Sequence, residues 1–289
     1  MAEPNTLFEV TCRTMQGRFL LRPSGRLNEL ILGVVGRAMT MYPVRLYLMV
    51  VLSNHLHMIL SAPDVNSLSL FMNFVNANIA REAGRLHRWH EKFWGRRYTA
   101  LPILDDAARL SRVRYLLSNG CKEGLVKRPR DWSGVQCVDA LCDGKPLKGV
   151  WVDRTAQYIK GGSEKDHETT YEVPLSVLPC FTDLSEGERR RQWRGWWRPS
   201  RRSSLKTAIR GARPSRRTIA PRRRRKARAR SAHAAAAGSA KRYREGYAMF
   251  VGAYRRAQER WRQGEASALA LFPPDCYIPP LARIDFSSA

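Results

Sequence analysis

Apolar positions recur with two different periods along the first part of the chain, and the period switches mark element boundaries. Residues 7–13, "LFEVTCR", read as a strand ending on a charge. Residues 25–40 place Leu27, Leu30, Ile31, Val34, Val35 and Ala38 at helical spacing, with Ser24 standing as an N-cap. "VRLYLMVVL", 44–52, is β-branched and almost wholly apolar, which predicts a central strand covered on both faces. Ser53 and Asn54 predict a tight turn, and "HLHMILSA", 55–62, the returning strand. A second helix is predicted over about 67–87, with the stripe Leu68, Phe71, Met72, Val75, Ile79, Ala83 and Leu86. "RRYTALPI", 96–103, predicts a fourth strand, and Asp105 caps a third helix that stops at Gly120. The order βαββαβ plus one helix predicts an α+β fold. Its core is a ferredoxin-like sheet with two helices on one face and the other face left for a site and the extra helix.

Charge changes the picture. The chain has 289 residues, with 51 Lys plus Arg against 25 Asp plus Glu, a formal charge of +26. Solubility does not need such an excess; it points to a polyanionic partner, most simply nucleic acid, with an acidic membrane surface as the competitor. Arg37 and Arg45 interrupt the best candidate for a membrane span, and "MAEPNTLFEV" has neither a basic nor an apolar region of the kind a signal peptide needs. A cytoplasmic, nucleoid-associated protein is the expectation. Six scattered cysteines without a CxxC pair then read as reduced thiols, several of them buried.

Candidate chemistry starts at His55 and His57. Strand side chains alternate, so both imidazoles share one face while Leu56, Met58 and Leu60 take the other. Two imidazoles on one face suit a two-ligand metal site; two ordinary polar residues at a strand start is the competing reading. On the third helix, Ala107, Leu110, Val113 and Leu117 form the predicted core stripe, and Ser111, Tyr115 and Asn119 fall on a different face. If that face lies over the open side of the sheet, Tyr115 meets the histidines with Asn119 one turn on. A phenol near a metal in so basic a chain suggests phosphodiester chemistry. Tyr98 is the rival nucleophile, Tyr47 reads as core, and His87, His90, His167 and His233 show no convergent spacing.

"SNHLHMIL" resembles the His-hydrophobic-His motif of the HUH single-strand endonucleases and transposases, and "RYLLSNGCKEGLV" resembles the tyrosine helix of the REP-associated tyrosine transposases. "VTCRTMQGRFLLRPS", "FWGRRYTALPILDD" and "GLVKRPRDWSGVQCV" are similar to that family in the same order. "LKGVWVDRTAQY", "VPLSVLPCF" and "FPPDCYIPP" more loosely resemble the extension of its longer members. The resemblance implies metal-dependent cleavage and joining of single-stranded DNA flanking hairpins. His55, His57 and Asn119 would hold Mg²⁺ or Mn²⁺, and Tyr115 would form a 5′-phosphotyrosine link. Arg13, Arg96 and Arg97 lie inside the resembling segments and are candidate DNA contacts. Two departures stand out: Asn-Gly-Cys follows the tyrosine helix where the family often has Asn-Pro-Val, and the first strand carries Glu9, Val10 and Cys12 where the family often has a His and then Thr-Ser-Arg.

The organisation expected is a catalytic domain over 1–130, an extension packed on it over 131–188 with Trp132, Trp151 and Trp193 as anchors, an Arg-rich disordered linker over 189–239, and a helix with a Pro-rich tail over 240–289. From Arg189 to Arg230 there are 19 Lys or Arg and no acid. "PRRRRKARAR", which includes Arg222, Arg223, Arg224 and Arg225, reads as a polycation contacting phosphates without sequence choice. Trp193, Trp196 or Trp197 either stack on bases or dock a helix end on the domain. "HAAAAGSA" reads as a flexible joint. A homodimer is compatible with the sequence. The alternatives carried forward are a domesticated non-catalytic hairpin-binding protein, a replication-initiator-type HUH nuclease and an RNA binder, for which the exposed strand aromatics are missing.

Overall fold

The computed structural model describes residues 6–196, 232–274, 276, 278 and 279. Strands β1 (Leu7–Arg13), β2 (Arg45–Leu52), β3 (His55–Ser61) and β4 (Thr99–Ile103) form one antiparallel sheet in the order β2-β3-β1-β4. Helices α1 (Gly25–Met41) and α2 (Val65–His87) are the two crossovers and pack against each other. This is the α+β, ferredoxin-like arrangement, in which both crossovers return over one face. The caps are local chemistry. Leu27 N donates to Ser24 Oγ at 3.2 Å, Ser67 N to Asp64 at 2.7 Å and Ala108 N to Asp105 at 2.8 Å. Because Asp64 supplies a cap, α2 begins at Val65 rather than at 67, and because it ends at His87, Leu86 at the end of the predicted stripe stays exposed.

The long apolar run of β2 would be a hazard if its outer edge were free. Residues 132–137 run along it. Val51 N donates to Val135 O at 2.9 Å, and Trp132 Nε1 donates to Val51 O at 2.8 Å. Cys137 Sγ takes the place of a strand partner, accepting from Met49 N and donating to Met49 O, both at 3.1 Å. Burial pushes this thiol up to about 12, so it stays protonated. Cys12 and Cys142 are also buried, and Cys12, Cys121, Cys137, Cys142 and Cys180 are free thiols.

After α3 (Asp106–Leu117), α4 (Asn119–Lys122) and α5 (Val138–Asp143), a second sheet forms from β5 (Leu147–Val152) and β6 (Glu168–Val173), with α6 (Arg154–Lys160) between them. This pair lies on α1 at backbone-to-backbone range. A Cβ at Gly33 would collide with the main chain of Val150, and one at Gly149 with Gly33 N and Glu29 O. Arg26 pairs with Glu164 and Glu168, and Arg154 with Glu82 and Glu164, tying α1, α2 and the second sheet together. Trp151 packs on Phe74 with ring centroids 5.5 Å apart.

The first residues of the linker expected over 189–239 are helical, and 197–231 lie outside the described residues. Helix α7 (Glu186–Trp196) covers that start, because Trp193 is buried against Phe181 (5.2 Å) and Trp196 (4.6 Å). Trp193 is therefore a packing anchor and not a base-stacking surface. Trp197 and Arg222 to Arg225 lie outside the described residues. "HAAAAGSA" is also corrected: His233 is bonded to β4 through its main chain, Ala235 N and Ala236 N donate to the Asp105 carboxylate, and the second half opens helix α8 (Ala237–Arg262). Phe272 packs on Tyr254 (5.5 Å) and Trp261 (6.4 Å), and Trp261 Nε1 donates to Pro279 O at 2.9 Å, so the Pro-rich tail folds back on α8. No helix among the described residues is long and apolar enough to cross a membrane.

The contact between α1 and the second sheet is testable. Ala in place of Gly33 gains about 1 kcal/mol of helix propensity, but forcing a methyl into the Val150 backbone costs about 1–3 kcal/mol or more. Gly33→Ala is expected to lower the urea midpoint; an unchanged or raised midpoint would show that the two layers separate freely.

Candidate functional site

The β1–β3 register places Arg13 opposite His55, Thr11 opposite His57 and Glu9 opposite Ile59, so Glu9, Thr11, Arg13, His55 and His57 share one face of the sheet. Both histidines are buried, at 7% and 8% exposure, with ring centroids 4.9 Å apart. Their Nδ1 atoms are occupied. His55 Nδ1 lies 2.6 Å from Asn54 Oδ1, and the Asn54 amide nitrogen donates to Gly17 O at 3.1 Å, which fixes the amide so that His55 Nδ1–H must donate. His57 Nδ1 lies 3.0 Å from Thr11 Oγ1 and 3.3 Å from Glu9 Oε1. A carboxylate only accepts, so His57 also carries its proton on Nδ1. Neither Nε2 atom has a hydrogen bond among the described residues, and that of His55 is left with a lone pair. Burial first, then electrostatic contact with His57 and Arg13, pull His55 down to about 3, which keeps it neutral.

Helix α3 lies over this face, joined to the sheet by Arg112. Its Nε and Nη2 bond Glu9 Oε2 and Oε1 at 2.6 and 2.8 Å. The core stripe of α3 is Ala108, Val113, Leu116 and Leu117; Ala107 is exposed and Leu110 half-buried, a rotation from the predicted stripe that the Arg112–Glu9 pair imposes. Tyr115 is 37% exposed. Arg112 Cζ stands 4.2 Å and Lys122 Nζ 4.0 Å from its ring centroid. With Ser111, Arg114 and Ser118 these groups line a shallow cleft. The Ser111–Tyr115–Asn119 face does not continue as predicted. The helix breaks at Ser118, α4 begins at Asn119, and Asn119 is buried at 3% exposure. No hydrogen bond or ring contact joins Tyr115 or Asn119 to either histidine; the path from Tyr115 runs through Arg112 and Glu9 to His57.

Sequence reasoning missed four groups here: Glu9, Arg112, Lys122 and His233. Glu9 is the centre of the cluster. Its carboxylate is 4% exposed and takes Arg112, His57 and His233, whose Nε2 is 2.9 Å from Glu9 Oε2, off the line of a hydrogen bond. Burial works to raise its pKa, but the contacts with His233, His57 and Arg112 outweigh that and hold the carboxyl well below the usual range. An acid inside an otherwise apolar strand was the available signal. Of the remaining candidates, Arg13, Arg96 and Arg97 are exposed, and Gly95 N donates to Arg13 O at 2.9 Å, which brings the 93–97 loop to the end of β1. Tyr98 is half-buried, with Arg97 Cζ 5.4 Å from its ring centroid, and Tyr47 is core, its hydroxyl 3.1 Å from Ser61 Oγ. Among the described residues, no group of three or more His, Cys, Asp or Glu could hold a metal ion. Ligation would fall on the two imidazoles and an amide.

A solved REP-associated tyrosine transposase bound to a REP hairpin matches with a TM-score of 0.41 and 18% identity over 47% of this chain and 79% of that one. A candidate transposase from Deinococcus radiodurans R1 matches with a TM-score of 0.30 and 14% identity over 42% of this chain and 91% of that one. No family model and no curated protein matches the chain.

The depressed pKa of His55 sets a pH dependence. An unfolded histidine takes up its proton near pH ~6.5, whereas folded His55 resists protonation down to about 3. The stability it contributes is therefore complete above about pH 6.5 and is lost as pH falls toward 3; Glu9 adds a loss in the same direction below the carboxylate range. Urea midpoints measured from pH 7 to pH 5 are expected to fall in the parent and to fall less steeply in His55→Gln, whose amide does not titrate. Parallel curves would refute the neutral, buried state of His55.

Proposed function

We propose that this protein is a metal-dependent, single-stranded DNA nicking and joining enzyme acting on hairpin DNA through Tyr115, as its sequence resemblance to the REP-associated tyrosine transposases implies. The observation that carries the reading is the pair of imidazoles on one strand face, each with Nδ1 held by a neighbour and Nε2 without a hydrogen bond among the described residues. That is the state a metal-ligating histidine needs. Asn119, whose side chain is buried without a hydrogen bond among the described residues, supplies a third, neutral oxygen donor. The residues present fit Mg²⁺ or Mn²⁺ in donor type, and imidazole favours Mn²⁺.

Held by His55, His57 and Asn119, the ion would supply Lewis-acid polarisation of the scissile phosphate. The rest falls to the chain's own side chains. Arg112, between Tyr115 and Glu9, gives a phosphate a cationic seat spanning the cleft and the histidine face, with Lys122 and Arg114 beside it. Tyr115 Oη attacks phosphorus; the Oη–P bond forms, the P–O3′ bond breaks, the phenol proton leaves to solvent in the open cleft, and the departing O3′ takes a proton. The 5′-phosphotyrosine link conserves the bond energy, so a second 3′-OH reverses the step and joins a new strand. Arg13, Arg96 and Arg97 form a basic rim at the His55 end of the sheet for the DNA backbone, and the net charge of +26 supplies the non-specific attraction.

The test is a covalent-adduct assay with single-stranded hairpin oligonucleotides and Mn²⁺. The parent is expected to give a protein–DNA adduct mapping to Tyr115. Tyr115→Phe should bind hairpins with an affinity within about twofold of the parent, because phosphate contacts dominate binding, yet form no adduct. His57→Ala and EDTA should each abolish cleavage while leaving binding. An adduct on Tyr98 would refute the nucleophile, and tight hairpin binding by a parent that never cleaves would establish the non-catalytic reading instead.

A further inference from the structure

We infer that His233, carried in by the C-terminal part of the chain, is a positioning residue of the candidate site: it closes the outer side of the Glu9 carboxylate and so holds His57 and Arg112 in their places. The segment that delivers it is fixed by its main chain. His233 N donates to Pro102 O at 2.8 Å, and Leu104 N donates to His233 O at 2.9 Å, forming a parallel bridge beside Ile103. Ala235 N and Ala236 N then donate to Asp105 Oδ2 at 2.8 and 3.2 Å. The other oxygen of Asp105 caps α3 through Ala108 N. One carboxylate therefore anchors both the start of the tyrosine-bearing helix and the returning C-terminal segment.

The side chain does the rest. Arg112 bonds both oxygens of Glu9, and His233 Nε2 stands 2.9 Å from Oε2, off the line of a hydrogen bond, so that the imidazole covers the carboxylate. Thr11 can hydrogen-bond either tautomer of His57, because a hydroxyl donates as well as accepts; only the carboxylate of Glu9 forces the proton onto Nδ1. With His233 gone, water reaches Oε2, the Arg112 pair is screened, and Glu9 is free to turn from His57. The C-terminal segment is on this view a component of the site and not an appended tail.

The inference rests on the proposed function for its activity arm, so a second arm is independent of activity. In the full chain labelled with ¹⁵N-histidine, long-range ¹H–¹⁵N spectra should show His57 as the Nδ1–H tautomer in the parent and in His233→Gln, whose amide nitrogen reproduces the reach of Nε2. His57 should average between tautomers in His233→Ala and in the shorter His233→Asn. The bonds made by the main chain of residues 233, 235 and 236 are open to all three variants. In the adduct assay, His233→Ala and His233→Asn should react about tenfold more slowly at unchanged hairpin affinity, the scale of losing an outer partner of a ligating histidine, with His233→Gln restored to within about twofold. A His57 signal indifferent to His233→Ala overturns the inference, as does faster adduct formation, which would make the segment an inhibitory plug. A parent that forms no adduct defeats the proposed function alone, and the spectra then decide the role of His233.

Discussion

A carboxylate buried inside a sheet must be compensated or it will not stay ionised, and Glu9 is that carboxylate here. Its compensation comes from three separate parts of the chain: Arg112 on α3, His57 on β3 and His233 from the C-terminal segment. Stripping one partner from such a buried pair typically costs about 3–5 kcal/mol, more than most single contacts in a core. The need to satisfy one charge thus decides where α3 sits on the sheet, which way Arg112 points beneath Tyr115, and which nitrogen of His57 holds its proton.

The rest of the architecture keeps that face available. The crossovers take the opposite face, where Leu56, Met58 and Leu60 are fully buried. The second sheet does not compete for the histidine face, because Gly33 and Gly149 let it settle on the far side of α1. The free edge of β2 is consumed by 132–137, with the Cys137 thiol standing in for a main-chain partner. Each of these contacts removes a place where the apolar strands would otherwise attract another chain.

Placing two histidines in an apolar strand has a definite electrostatic consequence. Burial keeps His55 neutral, and with both Nδ1 atoms occupied the two imidazoles are left with Nε2 for whatever lies over the sheet. Tyr115 occupies a different environment, half-exposed and beside two cations that draw an anion toward it. The two halves of the candidate site are therefore unlike in solvation and are joined by a salt-bridged path. Such a layout suits an anionic substrate that spans both.

Much of the fold was legible because periodicity and caps are local. Ser24 and Asp105, the apolar run of β2 and the stripe of α2 place their elements within a few residues, and the order of those elements restricts the sheet to few topologies. The face shared by His55 and His57 follows from strand alternation alone. The contacts of Glu9 were not legible, since they depend on residues brought from α3 and from beyond the Arg-rich segment, at sequence distances where spacing carries no information. The rotation of the α3 stripe, the break at Ser118 that separates Asn119 from Tyr115, and the helix over 186–196 have the same origin: a long-range pair or an aromatic cluster outweighs a local pattern worth a few tenths of a kcal/mol per residue. The sequence by itself determined which chemistry-bearing residues share a strand or a helix. Only the tertiary structure decided which of them meet, because a buried charge takes its partners from whatever the fold brings within hydrogen-bond reach.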